Sequence, residues 1–240
     1  MENKDCKIIA HRGASGLTEF DNSLESFRKA VELGADMIEF DVRKTRDDVL
    51  IAFHDPEIQG ERISDLSYEE LLDITEEIGF RVPTVEDVVN LSKGKIGLDI
   101  ELKEEGYEEK VVELVKDQLD YDSYVMKSFS DECAKAIKRH DSEVKSGLLL
   151  GLEDPDSKIK TRLSELFPKR RLNRCNADFV SPNYRLLRFF YLWRMWRQGF
   201  EVFVWTVNDE GMMERWISRG VDALITDRPD LALKVREKVG

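Results

Sequence analysis

The sequence predicts an α/β fold, a (β/α)8 barrel of the TIM type with a β-hairpin and a short insertion over its C-terminal face. Three observations predict it. Short apolar runs alternate with helical stretches eight times, which is how βα units build a parallel sheet and, at eight repeats, a closed barrel. The chain's 240 residues, 41% of them apolar, suit one such core. Charged residues also fall where several of the apolar runs end, the rim at which barrels of this kind carry their chemistry.

In chain order, Lys7-Ile8-Ile9-Ala10 reads as the first strand and ends at His11-Arg12-Gly13. Asp21-Asn22-Ser23 offers N-caps for a helix through Leu33, which Gly34 stops. Met37 to Val42 alternates apolar and acidic residues at the period of a strand, so Glu39 and Asp41 share a face. Val49 to Phe53 is a second apolar run separated from it by Arg46-Asp47-Asp48, and the two read as a hairpin. A loop of two or three residues between 46 and 48 makes paired positions sum to 93, 94 or 95, setting His54 opposite Glu39, Phe40 or Asp41. The odd sums put it on the carboxylates' face, with Cβ atoms about 4.5–5.5 Å apart. Residues 55–83 read as an irregular, charged insertion with one short helix near Ser67 to Asp73. Pro83-Thr84-Val85-Glu86 then opens a helix.

From there strands and helices alternate. Ile96–Leu102 leads to helix Tyr107–Leu119, Tyr124–Lys127 to Asp131–Arg139, and Val144–Leu150 to Ser157–Phe167. Asp178–Ser181 leads to an aromatic helix at Leu186–Arg197, Glu201–Val207 to Gly211–Arg219, and Val221–Thr226 to Leu231–Lys238. One catalytic barrel domain over 1–240 is expected, with the insertion at about 55–83.

A net charge of −12 argues against a nucleic-acid partner. The charge is uneven: residues 151–200 hold eleven Lys/Arg against five Asp/Glu, leaving an acidic remainder. The N-terminus lacks the apolar region of a signal peptide, and no run approaches the length of a membrane span. Cys6, Cys133 and Cys175 are scattered without metal spacing, an odd count that suits a reducing compartment. The expected location is the cytoplasm.

Glu39, Asp41 and Glu101 all fall at strand ends, and so many carboxylates in one place call for a cation. All-oxygen donors select a hard divalent ion, Mg2+ or Ca2+, over zinc. His11 and His54 bring two imidazoles to the same rim, where one can act as base while the other, protonated, acts as acid. Arg12 and Lys103 add permanent positive charge suited to phosphate oxygens, beside the small Gly13-Ala14-Ser15-Gly16. A metal, two cations and an acid/base pair point to phosphoryl transfer. Trp205, at another strand end, is a candidate to pack against the substrate.

These residues carry a resemblance. His11-Arg12-Gly13, Glu39-x-Asp41, His54-Asp55-Pro56, Glu101-x-Lys103, Trp205-Thr206-Val207-Asn208 and Thr226-Asp227-Arg228-Pro229 are similar, in order and spacing, to the glycerophosphodiester phosphodiesterases, from about Ile8 to Leu233. The resemblance implies hydrolysis of a small-molecule phosphodiester to glycerol 3-phosphate and an alcohol. It implies a divalent cation on Glu39, Asp41 and Glu101, His11 and His54 as the acid/base pair, and Arg12 and Lys103 on the phosphate. Lysophospholipase D or phospholipase C-like action on lipids, and a non-catalytic phosphodiester-binding barrel, are the alternatives. Two departures stand out: Phe20-Asp21-Asn22-Ser23 replaces the family's Pro-Glu-Asn-Thr, and the piece after Pro56 is shortened.

The stretch 184–197 interleaves arginines with aromatic residues. It is a candidate for contact with an anionic lipid surface, or for a homodimer contact.

Overall fold

A computed structural model describes residues 6–151, 163–188 and 190–239. Its strands are β1 (Lys7–Ala10), β2 (Met37–Lys44), β3 (Leu50–Ala52), β4 (Glu57–Ile58), β5 (Glu61–Arg62), β6 (Gly97–Leu102), β7 (Tyr124–Ser128), β8 (Ser146–Leu150), β9 (Phe179–Pro182), β10 (Glu201–Val204) and β11 (Ala223–Thr226). Nine of them form one sheet in which β3 lies antiparallel to β2. The other eight run parallel and close into a barrel, because β1 pairs with both β11 and β2. The sequence expectation of a closed parallel barrel holds.

The helices are α1 (Leu24–Leu33), α2 (Tyr68–Ile78), α3 (Val85–Ser92), α4 (Glu108–Lys116), α5 (Asp131–His140), α6 (Lys169–Cys175), α7 (Tyr191–Trp196), α8 (Glu210–Ser218) and α9 (Pro229–Val239). Reciprocal capping boxes start α1 (Ser23 with Ser26), α2 (Ser67 with Glu70) and α3 (Thr84 with Asp87), each satisfying backbone donors the helix leaves unpaired. The barrel helices bury apolar residues on their inner side; Val111, Val112 and Val115 of α4 are fully buried.

The barrel interior is layered. Ile9, Met37, Val125, Phe179, Phe203 and Ala223 form an apolar plug. Gly147 makes room for it, since a Cβ there would sit 2.2 Å from the Phe179 ring. Above the plug, charge begins. Parallel register sets Glu39 level with Asp99, Asp41 level with Glu101, and Glu101 level with Lys127. Apolar burial holds the barrel shut from below, and the polar layer lies toward its C-terminal mouth.

Several elements differ from expectation. The insertion is not irregular: β4 and β5 pair across Gln59 and Gly60, both left-handed (φ 52° and 87°), the signature of a tight hairpin turn. Its helix runs on to Ile78 because Leu71 and Thr75 are buried, Leu71 in a cluster with Ile51, Ile58 and Ile63. Strand β10 gives way at Trp205 to a single bridge with Asn183. The aromatic helix expected at Leu186–Arg197 is instead a 3-10 turn, Tyr184–Leu186, followed by the short α7. Residues 157–162 of the helix expected at Ser157–Phe167 lie outside the described residues; 163–166 are helical, and α6 follows separately. Cys6, Cys133 and Cys175 are buried and unpaired.

Candidate active site

The hairpin closes with Thr45 bonded to Val49 around the three-residue loop 46–48, in which Asp48 is left-handed (φ 64°). Val42 pairs with Ala52 and Lys44 with Leu50, so positions sum to 94. That register would put His54 opposite Phe40, away from the carboxylates' face. The ladder ends at Ala52, however, with Phe53 still bonded to the Asp41 carbonyl. Beyond it the chain turns, and His54 lines the same cavity as Glu39 and Asp41. The end of the strand, not its register, brings the imidazole in.

That cavity, of about 100 Å3, is also lined by His11, Arg12, Glu101, Lys103 and Trp205. All eight sequence-selected residues are thus brought together. Glu39, Asp41 and Glu101 each offer an oxygen within 4.8 Å of the others. Glu39 and Asp41 are 1% exposed and Glu101 6%. Their electrostatics diverge. Burial pushes Asp41 up, but Lys103, Arg12 and His54 outweigh it and hold the carboxyl down at about 2. Burial and the charge of Asp41 push Glu101 up to about 8, despite a 2.6 Å bond from Lys103. Three buried oxygen donors, with the charge of Asp41 opposing one on Glu101, fit a hard divalent cation.

Both histidines are oriented the same way. His11 Nδ1 lies 2.6 Å from Asp227 Oδ1, and His54 Nδ1 lies 2.7 Å from Asp55 Oδ1. An aspartate on Nδ1 fixes the ring and leaves Nε2 available. His11 Nε2 points toward Glu39, at 4.0 Å. Burial lowers the His11 pKa, but Glu39 and the bond to Asp227 more than offset it, so the net shift is upward. Asp227 is itself held by Ser15 and Asn208.

Arg12 adopts a left-handed backbone (φ 51°) that brings its N–H to Glu39 at 3.0 Å and its guanidinium to Asp41 and Asp21, at 3.2 and 2.9 Å. The glycine after it is obligatory: at φ 81°, a Cβ on Gly13 would lie 2.4 Å from Ser26 Oγ. Asn22 brackets Asp41, donating to its carboxylate and accepting from its N–H. Asp21, the departure from Pro-Glu-Asn-Thr, pairs with Arg12. Trp205 spends its indole N–H on the Ser181 carbonyl (2.7 Å) and packs edge-on against Phe129.

Two buried residues escaped the sequence reading. Lys127 reaches Asp99 at 2.6 Å and Glu39 at 3.4 Å, and all three are sealed from solvent. The available signal was a lone lysine inside an apolar strand. A wider groove of about 610 Å3 shares His11, Arg12 and Asp227 with the site and is walled by Phe20, Phe53, Ile58, Ile78 and Phe80.

With this geometry in hand, comparison with known proteins is specific. The model of the glycerophosphoryl diester phosphodiesterase family matches residues 11–231. A glycerophosphodiester phosphodiesterase of Caldanaerobacter subterraneus subsp. tengcongensis is 30% identical over 253 residues, covering 97% of this chain and 98% of its own. The crystal structure of such an enzyme from Parabacteroides distasonis superposes with a TM-score of 0.81 at 28% identity, covering 98% of both chains. The fold is also that of an Oleispira antarctica phosphodiesterase solved with its product sn-glycerol-3-phosphate (TM-score 0.81, 23% identity, 96% of both chains). The chain belongs to the glycerophosphoryl diester phosphodiesterase family.

Proposed function

We propose that the chain hydrolyses glycerophosphodiesters to glycerol 3-phosphate and an alcohol, using a divalent cation and the His11–His54 pair as acid and base. The observation that carries this reading is the cavity shared by two aspartate-anchored imidazoles, three carboxylates and two cations. Glu39, Asp41 and Glu101 would hold the cation, Mg2+ or Ca2+. Once bound, it supplies positive charge against the phosphoryl oxygens. Arg12 and Lys103 add fixed charge at the same oxygens, with Lys103 held beside Glu101 and Asp41. One imidazole takes the proton of the attacking hydroxyl while the other protonates the leaving alcohol. The attacker is water, or the substrate's own 2-hydroxyl, whose cyclic phosphate a water then opens to glycerol 3-phosphate in a second step. The product bound by the Oleispira antarctica enzyme is the one this reading expects.

Phosphorus NMR of the purified protein with glycerophosphocholine tests it. Glycerol 3-phosphate is expected to accumulate with Mg2+ or Ca2+ and to stop with EDTA. His11→Ala and His54→Ala should each lower kcat by about 10²–10⁴. Full turnover in excess EDTA refutes the cation, and an unchanged rate in either variant removes that histidine.

A second reading, lysophospholipase D-type cleavage of the phosphodiester of single-chain lipids, is favoured by the groove. Two of its three acids are used internally, Asp21 by Arg12 and Asp227 by His11, and the third, Glu19, is exposed. What then dominates its walls is Phe20 stacked on Phe80 (4.7 Å between rings), with Phe53, Ile58 and Ile78. An apolar chain attached to a phosphodiester seated at His11 would find matching surface there.

A further inference from the structure

We propose that the surface carrying Phe167, Phe190 and Trp193 docks the protein onto an anionic lipid bilayer, with the barrel mouth beside the membrane. Among the described residues few large apolar side chains are exposed, and these three are 61%, 84% and 54% exposed. Trp193 lies on α7, Phe190 and Arg197 flank that helix as its caps, and all three are exposed. Tyr191, Leu192 and Met195 take the opposite face into the core. Phe190 is held left-handed (φ 58°) at the helix start, a conformation costly for a bulky residue. Its ring obtains no burial in return. The strain serves presentation to something outside the chain.

Charge identifies the occupant. Residues 163–199 hold eight Lys/Arg and two Asp/Glu, in a chain of net charge −12. Of the two acids, Glu165 is buried and Asp178 is paired with Lys138. Lys169, Arg170, Arg174, Arg185 and Arg188 are exposed. Arg194 stacks over Phe167 at 4.6 Å, and Arg197 over Trp193 at 4.8 Å, so cations and apolar rings form one surface. A symmetric contact with a second copy would set these cations against themselves. Anionic headgroups complement the arginines, while the rings enter the headgroup–acyl boundary. The surface also continues into the site: the Tyr184 N–H donates to the carbonyl of Trp205 (2.9 Å), whose ring lines the catalytic cavity.

Co-sedimentation of the full chain with vesicles tests this, comparing phosphatidylcholine alone with phosphatidylcholine–phosphatidylserine at low salt. Binding is expected only with phosphatidylserine, and high salt should reverse it. Phe190→Glu with Trp193→Glu should lower the partition coefficient by about tenfold or more. Both side chains are exposed, so the circular dichroism melt should not move. Glycerophosphocholine turnover should also be unchanged, since neither residue lies in the site; the outcome is therefore independent of the substrate reading. No binding by the unsubstituted chain, or equal binding by the double variant, overturns the proposal. So does a dimer in sedimentation equilibrium that the double variant converts to monomer, because that face would then belong to a second copy.

Discussion

Lys127 shows how much rests on a single side chain beneath the site. It is 1% exposed, and its ammonium is held by Asp99 and Glu39, both equally inaccessible. Burial raises the Asp99 carboxyl to about 6 even though Lys127 pulls it down. Without the lysine, two carboxylates would face each other in the barrel interior with their nearest cation gone. Breaking a buried pair from one side costs about 3–5 kcal/mol, because the remaining charge is stranded. Lys127→Met should therefore lower the unfolding free energy by about that amount in urea titrations. Adding Asp99→Leu should recover part of the loss, since it removes one of the two stranded charges. If the double variant is as unstable as the single one, the pair is not what holds this layer. Its own strand, Tyr124–Ser128, marks Lys127 as a lone lysine but does not say what it holds. Its role needs the register of three strands at once.

At the scale of elements, legibility followed local chemistry. The β2–β3 hairpin could be read because Arg46-Asp47-Asp48 is turn-forming and the flanking runs are apolar. The capped helices α1 and α3 could be read from their Ser and Thr caps. Two things could not. Where a strand stops depends on what packs beyond it, and the end of β3 at Ala52 decides where His54 goes. The split of the aromatic stretch turns on the left-handed Phe190, which no residue preference foretells. The insertion matters more than its irregular composition suggested, because Phe80, just past α2, stacks on Phe20 from the loop before α1. Those rings wall the groove beside His11. If the groove holds an acyl chain, Phe20→Ala with Phe80→Ala should raise KM for lysophosphatidylcholine about tenfold. The same variant should leave kcat/KM for glycerophosphocholine within about twofold. Equal losses on both substrates would assign the rings to structure and not to lipid binding.

On the scale of the whole molecule, a cation at the proposed site would couple its binding to folding. The candidate ligands come from two staves, Glu39 and Asp41 on β2 and Glu101 on β6. They converge only when the barrel is closed, so an ion held there stabilises the native state alone. At a hundred times its Kd it adds about 2.7 kcal/mol, or roughly 5–10 °C in Tm for a chain of this size. A competing effect must be separated. With net charge −12, any divalent ion also relieves general repulsion. The two effects differ in what they require. General relief depends on total charge, which Glu101→Gln alters by one, whereas site binding depends on the third carboxylate. Calorimetry with increasing Mg2+ or Ca2+ should therefore show a saturating rise in Tm for the unsubstituted chain and most of it lost in Glu101→Gln. NaCl at matched ionic strength should reproduce neither the size nor the saturation. An equal rise in chain and variant would mean that the carboxylates of β2 and β6 do not form a cation site, whatever the activity measurements show.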